Sequence, residues 1–204
     1  VVDCVSEGEI QKALAAGFDP AADPAQIYYT CDIFDRSSLE YVIANNIAIN
    51  AGSIDMIHQY GPRATRKSIT LRINPGFGHG HSQKTNTGGE SSKHGIWHEH
   101  LQEALDAAHQ YGLSIGGLHL HIGSGTDFEH LSKVCNTMLE IARKTGPEVQ
   151  SISAGGGLPI PYRIDNERIN LGNYTELWWE VRDTLAAEFG HPVQLEVEPG
   201  RYLA

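Results

Sequence analysis

Three apolar stretches of the sequence end in residues that could hold a phosphate and a flat, titratable ring. Residues 193–197 lead into EPGR at 198–201, residues 115–120 into HIGSG at 121–125, and residues 149–154 into GGG at 155–157. Glycine backbone amides can approach an anion closely because no Cβ stands in the way. The carboxylate, guanidinium and imidazole of the other two motifs add charge and a flat surface. Together the three motifs predict a cofactor site.

The run of glycines at 155–157 is the main candidate for binding a phosphate. Taken alone, such a run is more often a flexible turn. Ser124 and the pair Gly200-Arg201 follow neighbouring apolar stretches. We therefore interpret the glycines as part of a phosphate-binding cup, a feature that barrels commonly carry near their seventh and eighth strands.

Two histidines share one face of a predicted strand, because His119 and His121 lie two residues apart. We interpret His121, at the strand's end, as the residue that stacks on a ring, and His119 as a satisfied interior residue one layer deeper. The same spacing also fits a metal site, as do the histidine pairs at 79/81 and 94/98. Chance pairs are expected among 11 histidines, and the sequence identifies no third ligand, so no metal is predicted.

Two glutamates, Glu196 and Glu198, also share a face of their strand. A buried carboxylate must find a partner or become neutral. Two partners are open for Glu198: Arg201, in an ordinary salt bridge, and a protonated ring nitrogen of a cofactor. On the residues alone, the salt bridge is favoured.

Strand and helix patterns alternate along the chain, which indicates an α/β protein with a parallel sheet. We count seven strand-and-helix repeats, with strands at 1–2, 27–30, 47–50, 69–74, 115–122, 149–154 and 193–198. The predicted helices cover 6–17, 37–45, 54–60, 99–111, 128–144 and 174–189. An open doubly wound sheet and a (β/α)8 TIM-like barrel both fit this order. The barrel is favoured because function-type residues follow nearly every strand, whereas an open sheet concentrates them at one switch point.

Composition restricts the classes of partner. The 204 residues carry 25 acidic and 15 basic side chains, a formal charge of −10, and no basic stripe, which argues against a nucleic-acid surface. No apolar run approaches the ~20 residues that cross a bilayer, so no membrane association is expected. The three scattered cysteines indicate a reducing cytoplasm. We treat residues 1–204 as one domain.

On these motifs the chain resembles the barrel domain of the fold-type III pyridoxal-phosphate decarboxylases over essentially its whole length. The stretches that carry the resemblance are DCVSEGEIQKAL at 3–14, GLHLHIGSG at 117–125, SAGGGL at 153–158 and EVEPGRYL at 196–203. The long loop within LRINPGFGHGHSQKTNTGGESSKHGIW at 71–97 resembles in particular the diaminopimelate decarboxylases of that family.

The resemblance implies pyridoxal 5'-phosphate as the cofactor and assigns roles to the predicted site. His121 would stack against the pyridoxal ring, and Glu198 would pair with the pyridinium nitrogen; these two are the expected catalytic residues. Arg201 would reach the phosphate or a substrate carboxylate. The phosphate would be bound by hydroxyl and backbone groups of Ser124, Gly155, Gly156, Gly157 and Gly200.

The resemblance further implies an alanine racemase-like barrel of which this chain carries strands two to eight. The Schiff-base lysine at the end of the first strand and the C-terminal β-domain are expected to be absent from residues 1–204, so the isolated fragment is expected to be inactive. Its unclosed barrel would expose two strand edges, which favours aggregation or edge pairing.

The implied activity of the full-length protein is decarboxylation of meso-2,6-diaminopimelate to L-lysine and CO2, carried out by a cytoplasmic homodimer. The alternatives are decarboxylation of arginine, ornithine or a carboxy-polyamine, a non-catalytic pyridoxal-phosphate carrier, and a metal-dependent barrel hydrolase that uses His119 and His121.

Overall fold

Strands and helices alternate in the computed structural model, which describes residues 1–31, 33–78, 87–123, 128–163 and 168–203. The strands are β1 (Val2–Cys4), β2 (Ile27–Tyr29), β3 (Ala48–Ala51), β4 (Ser68–Asn74), β5 (Ile96–Trp97), β6 (Ser114–Leu120), β7 (Ser151–Ser153) and β8 (Gln194–Glu196). The helices are α1 (Glu7–Ala15), α2 (Arg36–Ala44), α3 (Ile54–Tyr60), α4 (Leu101–Gln110), α5 (Phe128–Thr145), α6 (Leu171–Phe189) and α7 (Gly200–Leu203). Short 3-10 turns cover Gly61–Arg63 and His98–His100.

The strands form one parallel sheet in the order β1-β2-β3-β4-β6-β7-β8, with β5 paired beside the end of β4. Apart from the short β5, the strands of this path follow one another in sequence order, as in a barrel. Within the described residues β1 and β8 are not paired with each other, yet Asp3 and Glu198 from these two ends line the same central cavity. The sheet is therefore curled, which confirms the predicted barrel-type α/β fold.

Alternation along the strands separates an apolar outer face from a polar inner one. On β4, Leu71 and Ile73 are buried against the helical layer, whereas Thr70 lines the central cavity. On β6, Leu118 is buried in the apolar core and His119 lines the cavity. Burial of each large aliphatic side chain contributes roughly 1.5–3 kcal/mol. The outer face therefore stabilises the sheet, and the inner face is left for polar groups.

Side-chain caps explain where the helices begin. Ser6 caps α1 by accepting a hydrogen bond from the backbone N–H of Glu9. The Glu9 carboxylate in turn accepts a hydrogen bond from the N–H of Val5 at 2.8 Å. In the usual capping box this carboxylate binds the N–H of the cap residue itself, so the predicted box forms here with the residue before the cap. Asp35 and Asn170 cap α2 and α6 in the same way.

The structure differs from the sequence prediction at the two strands that lead into the site. β7 and β8 have three residues each, whereas residues 149–154 and 193–198 were predicted as strands. The regular ladder ends early because the chain turns at Gly155, where φ is +63°. Single hydrogen bonds still join the two segments beyond the ladder, from Ala154 N–H to Glu196 O and from Glu198 N–H to Gly155 O, both at 2.9 Å.

Two short elements were not predicted at all. β5 has only two residues and α7 only four, and neither is long enough to show a hydrophobic period. In the described part of the chain no helix is both long and apolar enough to cross a membrane.

Candidate cofactor and active site

Two cavities open where the strands end, and they meet at Glu198, Pro199 and Gly200. The larger, of about 610 Å³, lies inside the curled sheet. The smaller, of about 330 Å³, brings together six of the eight predicted site residues. These six are His121, Gly156, Gly157, Glu198, Gly200 and Arg201. Gly155 lies beside this cavity and Ser124 lies outside the described residues.

The glycine run passes through a gap that admits no side chain. A Cβ on Gly155 would lie 2.4 Å from the carbonyl oxygen of Leu120, and one on Gly156 would lie 2.7 Å from the carbonyl oxygen of Glu198. Gly155 and Gly157 also have positive φ angles of +63° and +102°, which favour glycine. The Gly157 N–H has no partner among the described residues and borders the smaller cavity. The backbone of the glycine run is therefore directly accessible to a ligand, with no side chain in between.

The His121 ring is held in one orientation and one protonation state. Its Nδ1 accepts a hydrogen bond from the Gly156 N–H at 2.9 Å, which leaves the proton on Nε2. Burial, together with the charges of His119 and Arg72, lowers the pKa of His121 to about 4. Thr87 donates its hydroxyl to the carbonyl oxygen of His121 at 3.1 Å, which fixes the loop beside this residue. His121 is therefore a neutral, flat surface at pH 7.

The Glu198 carboxylate is held by two groups from neighbouring strands. The Ser153 hydroxyl donates to Oε1 at 2.9 Å, and His119 Nε2 lies 2.9 Å from the same oxygen. Burial raises the pKa of Glu198, but the charge and close contact of His119 and the Ser153 hydrogen bond outweigh it and lower this pKa to about 2. Glu198 is therefore ionised throughout the physiological range.

The prediction of a salt bridge between Glu198 and Arg201, which the residues alone favoured, is wrong. The short helix α7 carries Arg201 to an exposed position, where its guanidinium lies 5.9 Å from the centre of the Tyr162 ring. The partner of Glu198 is His119 instead. Arg201 nevertheless lines the smaller cavity and keeps its charge available to a ligand.

His119 also differs from its prediction as a satisfied interior residue. It is buried, with 2% of its surface exposed, but neither Nδ1 nor Nε2 forms a hydrogen bond of good geometry within the described residues. Sequence reasoning missed its contact with Glu198, and it missed Ser153 altogether. The sequence contains a signal that could have identified Ser153. It lies two residues before Gly155, so it faces inward with the other site residues.

A second carboxylate, Asp3 at the β1 end of the sheet, faces the same larger cavity. It accepts a hydrogen bond from the Thr30 hydroxyl. Desolvation by the surrounding protein and the nearby charge of Glu198 raise the pKa of Asp3 to about 6, although the residue as a whole is exposed. The cavity thus contains two carboxylates with opposite pKa shifts.

Lysines and metal ligands do not contribute to these cavities in the part of the chain that the structure covers. None of the five lysines described there lines either cavity. No group of three His, Cys, Asp or Glu side chains in that part is placed to hold a metal. His79, His81 and Lys84 fall outside the described residues.

The arrangement can bind an anion next to a flat ring. Bare glycine amides and Arg201 provide the anion site, His121 provides a flat neutral surface, and Glu198 provides a fixed negative charge beside it. An ionised carboxylate held in this way stabilises a cation such as a protonated ring nitrogen.

Comparison with known proteins agrees with this chemistry. The family model of the pyridoxal-dependent decarboxylases, pyridoxal binding domain, matches residues 1–204. Among curated relatives, the chain is 53% identical over 202 residues to diaminopimelate decarboxylase of Streptomyces coelicolor, and 50% identical over 202 residues to that of Escherichia coli K12. These matches cover 99% of this chain but 46% and 48% of the relatives, so the chain spans about half the length of the curated relatives that it matches.

Solved structures give the same result. A crystal structure of diaminopimelate decarboxylase superposes with a TM-score of 0.92 at 50% identity, covering 99% of this chain and 48% of the other. The Helicobacter pylori diaminopimelate decarboxylase complexed with L-lysine superposes with a TM-score of 0.84 at 26% identity, covering 98% of this chain and 50% of the other. The chain therefore belongs to the pyridoxal-dependent decarboxylases and corresponds to their pyridoxal-binding domain.

Proposed function

We propose that the full-length protein containing this domain decarboxylates meso-2,6-diaminopimelate to L-lysine and CO2, with pyridoxal 5'-phosphate as its cofactor. Residues 1–204 would form its incomplete barrel domain. The observation that carries the proposal is the ionised Glu198, held by Ser153 and His119 beside a glycine-lined cavity. The choice of substrate rests on the identities of 53% and 50% to the diaminopimelate decarboxylases of Streptomyces coelicolor and Escherichia coli.

The smaller cavity fits the phosphate of this cofactor. A phosphate needs close backbone N–H groups and positive charge. Gly156 and Gly157 approach the cavity where a Cβ on Gly156 would meet the carbonyl oxygen of Glu198, and the Gly157 N–H is unpartnered among the described residues. Gly200 and Arg201 complete the lining. The hydroxyl of Ser124 would add a further donor.

His121 and Glu198, which line the same cavity, would hold the ring of the cofactor. The His121 imidazole is neutral and fixed by Gly156, which suits a stacking contact. The ionised Glu198 would hold a proton on the ring nitrogen. When bound, pyridoxal phosphate supplies the electron sink that stabilises the carbanion left at Cα as CO2 departs. The residues of this chain contribute binding, orientation and the protonation state.

Arg201 has two possible roles in this site, because it lines the cavity without being tied to Glu198. It would pair with the phosphate or with a substrate carboxylate. Arg201→Lys separates the two, since a lysine keeps the charge but loses the bidentate geometry. A higher dissociation constant for the cofactor assigns Arg201 to the phosphate, and a higher KM at unchanged cofactor affinity assigns it to the substrate.

The remainder of the site would come from other parts of the full-length protein. None of the five described lysines lines either cavity, so we expect the lysine that the family resemblance implies for attaching the cofactor to come from another part of the full-length protein. Residues 1–204 alone are therefore expected to be inactive.

We further propose that the full-length protein is a cytoplasmic homodimer. Val197 and Leu203 line the larger cavity although they are 46% and 78% exposed, which suits a face that a second protein surface covers. The cysteines Cys4, Cys31 and Cys135 form no disulfide within the described residues, the state that the cytoplasm maintains. Light scattering of the full-length protein should give twice the mass of one chain; a monomer at all concentrations would contradict the dimer.

The decisive experiment supplies the full-length protein and pyridoxal phosphate with meso-diaminopimelate, arginine or ornithine in separate reactions. Lysine formed from diaminopimelate alone supports the proposal. CO2 released only from arginine or ornithine would replace it with a related decarboxylase activity. Cofactor binding without turnover of any of the three would favour the carrier.

A further inference from the structure

His119 occupies a position for which neither the fold nor the apolar core provides a reason. It lies on the inner face of β6, with 2% of its surface exposed, and lines the larger cavity. Neither ring nitrogen forms a hydrogen bond of good geometry with the described residues, but Nε2 lies 2.9 Å from Glu198 Oε1, within ion-pair distance. A buried imidazole with an unpaired nitrogen costs free energy. The only described contact that offsets this cost is the one with Glu198.

The second group on the same oxygen is oriented by a hydrogen-bond relay. The Ser153 hydroxyl accepts from the Gly155 N–H at 3.1 Å, so its own hydrogen is free to point to Glu198 Oε1, 2.9 Å away. Two neighbouring strands, β6 and β7, therefore converge on one carboxylate oxygen. Glu198 Oε2 makes no hydrogen bond with the described residues and remains available.

Other charged groups among the described residues lie nearby; Arg72, the register partner of His119 on β4, acts electrostatically on Asp3 and His121. The Nδ1 of His121 is occupied by the Gly156 N–H, and Arg201 lies at the exposed rim over Tyr162. The remaining titratable groups that act on Glu198, or on which Glu198 acts, are Asp3, His121, Tyr174 and Glu196. Of these, Asp3 and Glu196 carry negative charge when ionised and would oppose the ionisation of Glu198.

We infer that His119 is a positioning residue, which together with the Ser153 hydroxyl holds one oxygen of Glu198 so that the other is offered to the ring nitrogen of the cofactor. His119 does not touch the reacting atoms; it acts through Glu198. The part of this inference that concerns the cofactor rests on the proposed function. The part that concerns Glu198 does not, and it can be measured without the cofactor.

The first test follows the side-chain carboxyl of Glu198 by 13C NMR in the cofactor-free full-length protein. In the wild type the chemical shift should remain that of an ionised group down to pH 4. In His119→Leu the titration should move upward by about 1–3 pH units, because the carboxylate loses its close contact with His119 Nε2. Ser153→Ala should move it less. Thr70→Val removes a hydroxyl from the same cavity without touching Glu198 and should leave the titration unchanged.

Two further variants keep this test interpretable if His119→Leu does not fold. His119→Asn is polar but too short to reach Glu198, and should behave as His119→Leu does. His119→Gln places an amide N–H near the position of Nε2 and should restore most of the wild-type titration. A Glu198 titration at the wild-type pH in every folded variant without the contact would overturn the positioning role.

The second test reports on the cofactor and is separate from turnover. The 15N chemical shift of ring-labelled pyridoxal phosphate distinguishes a protonated from a bare ring nitrogen. It should be that of the protonated form in the wild type and in His119→Gln, and should move toward the bare form at pH 8 in His119→Leu or His119→Asn. Failure of the wild type to bind pyridoxal phosphate would reject the proposed function and leave the Glu198 titration as the test of His119. An unchanged 15N shift in folded variants that do bind it would reject the role of His119.

Discussion

Asp3 at the β1 end of the curled sheet and Glu198 at the β8 end line the same cavity, but the pKa values of the two carboxylates shift in opposite directions. At the β6–β8 end, His119 and Ser153 converge on Glu198 and lower its pKa to about 2 despite burial. At the β1–β3 end, a single hydroxyl, that of Thr30, donates to Asp3. Desolvation and the charge of Glu198 raise the pKa of Asp3 to about 6.

The difference shows that the charges and hydrogen bonds of neighbouring groups, rather than depth in the protein, decide whether a carboxylate is ionised. Glu196 makes the same point from within the β8 segment. It lies two residues before Glu198, and burial and the charge of Glu198 raise its pKa. No described side chain donates a hydrogen bond to it. The β6–β8 end is therefore built to keep one selected carboxylate ionised.

The largest expected effect is that of Glu198→Gln in the full-length protein. A neutral amide no longer favours a protonated ring nitrogen, so we expect decarboxylation to fall at least ~100-fold, or roughly 2.7 kcal/mol in the barrier, with the cofactor still bound. Glu196→Gln, the same change two residues away, is the matched control and should lower kcat by less than about threefold. Steady-state kinetics and cofactor absorbance measure both. Near-normal turnover of Glu198→Gln would remove the functional distinction between the two glutamates.

Gly155→Ala tests whether the close approach of backbone segments at the β6–β8 end requires a residue without a side chain. A Cβ would lie 2.4 Å from the Leu120 carbonyl oxygen at a φ of +63°. Gly112 has the same φ of +63° but open space around its Cβ position. We expect Gly112→Ala to cost about 1–2 kcal/mol from backbone strain alone. Gly155→Ala should cost roughly 2–5 kcal/mol, because overpacking adds to that strain. Equal losses in urea unfolding would show that the close approach at Gly155 is relaxed at little cost.

His121→Ala should weaken cofactor binding by about 10-fold, because an aromatic stacking contact contributes roughly 0.5–1.5 kcal/mol. His109→Ala removes a histidine from the exposed face of α4 and is the control. Titration of the cofactor-free full-length protein with pyridoxal phosphate gives both dissociation constants. The same affinity in the two variants would argue against stacking on His121.

The smallest effect is a pH dependence of opposite sign at the two ends. Between about pH 4 and pH 6, Asp3 is ionised in the unfolded chain but protonated in the folded one, so its contribution to stability decreases as pH rises. Asp3→Asn should therefore become more stable relative to wild type from pH 4 to pH 7.

Glu198 has a lowered pKa, so its contribution is present above about pH 4.5 and is lost as pH falls toward 2. Glu198→Gln should become less stable relative to wild type over the rise from pH 3 to pH 6.

Urea unfolding of the two variants and the wild type at each pH gives these slopes as differences from wild type, so that titrating groups outside this cavity cancel. Slopes of the same sign for the two variants would contradict the contrast between the ends of the sheet.

The sequence predicted the fold well because strand and helix periods are local. Nearly continuous apolar runs placed β4 and β6, and Ser6 marked the start of α1. Boundaries failed at β7 and β8, where hydrogen bonds between two distant segments decide where the ladder stops. β5 could not be found, because two residues carry no period.

The sequence by itself determined six of the residues that line the smaller cavity, since motifs that follow parallel strands are brought to one edge of the sheet. It did not determine their partners. Glu198 was assigned to Arg201, three residues away, and only the tertiary structure shows that His119, from a different strand, lies beside it. Charge on a buried group depends on donors within about 3 Å, which come from segments far apart in the chain and converge only after the sheet has curled. The same sequence pattern therefore gives two inner carboxylates, Asp3 and Glu198, and the curled sheet alone decides which of them stays ionised.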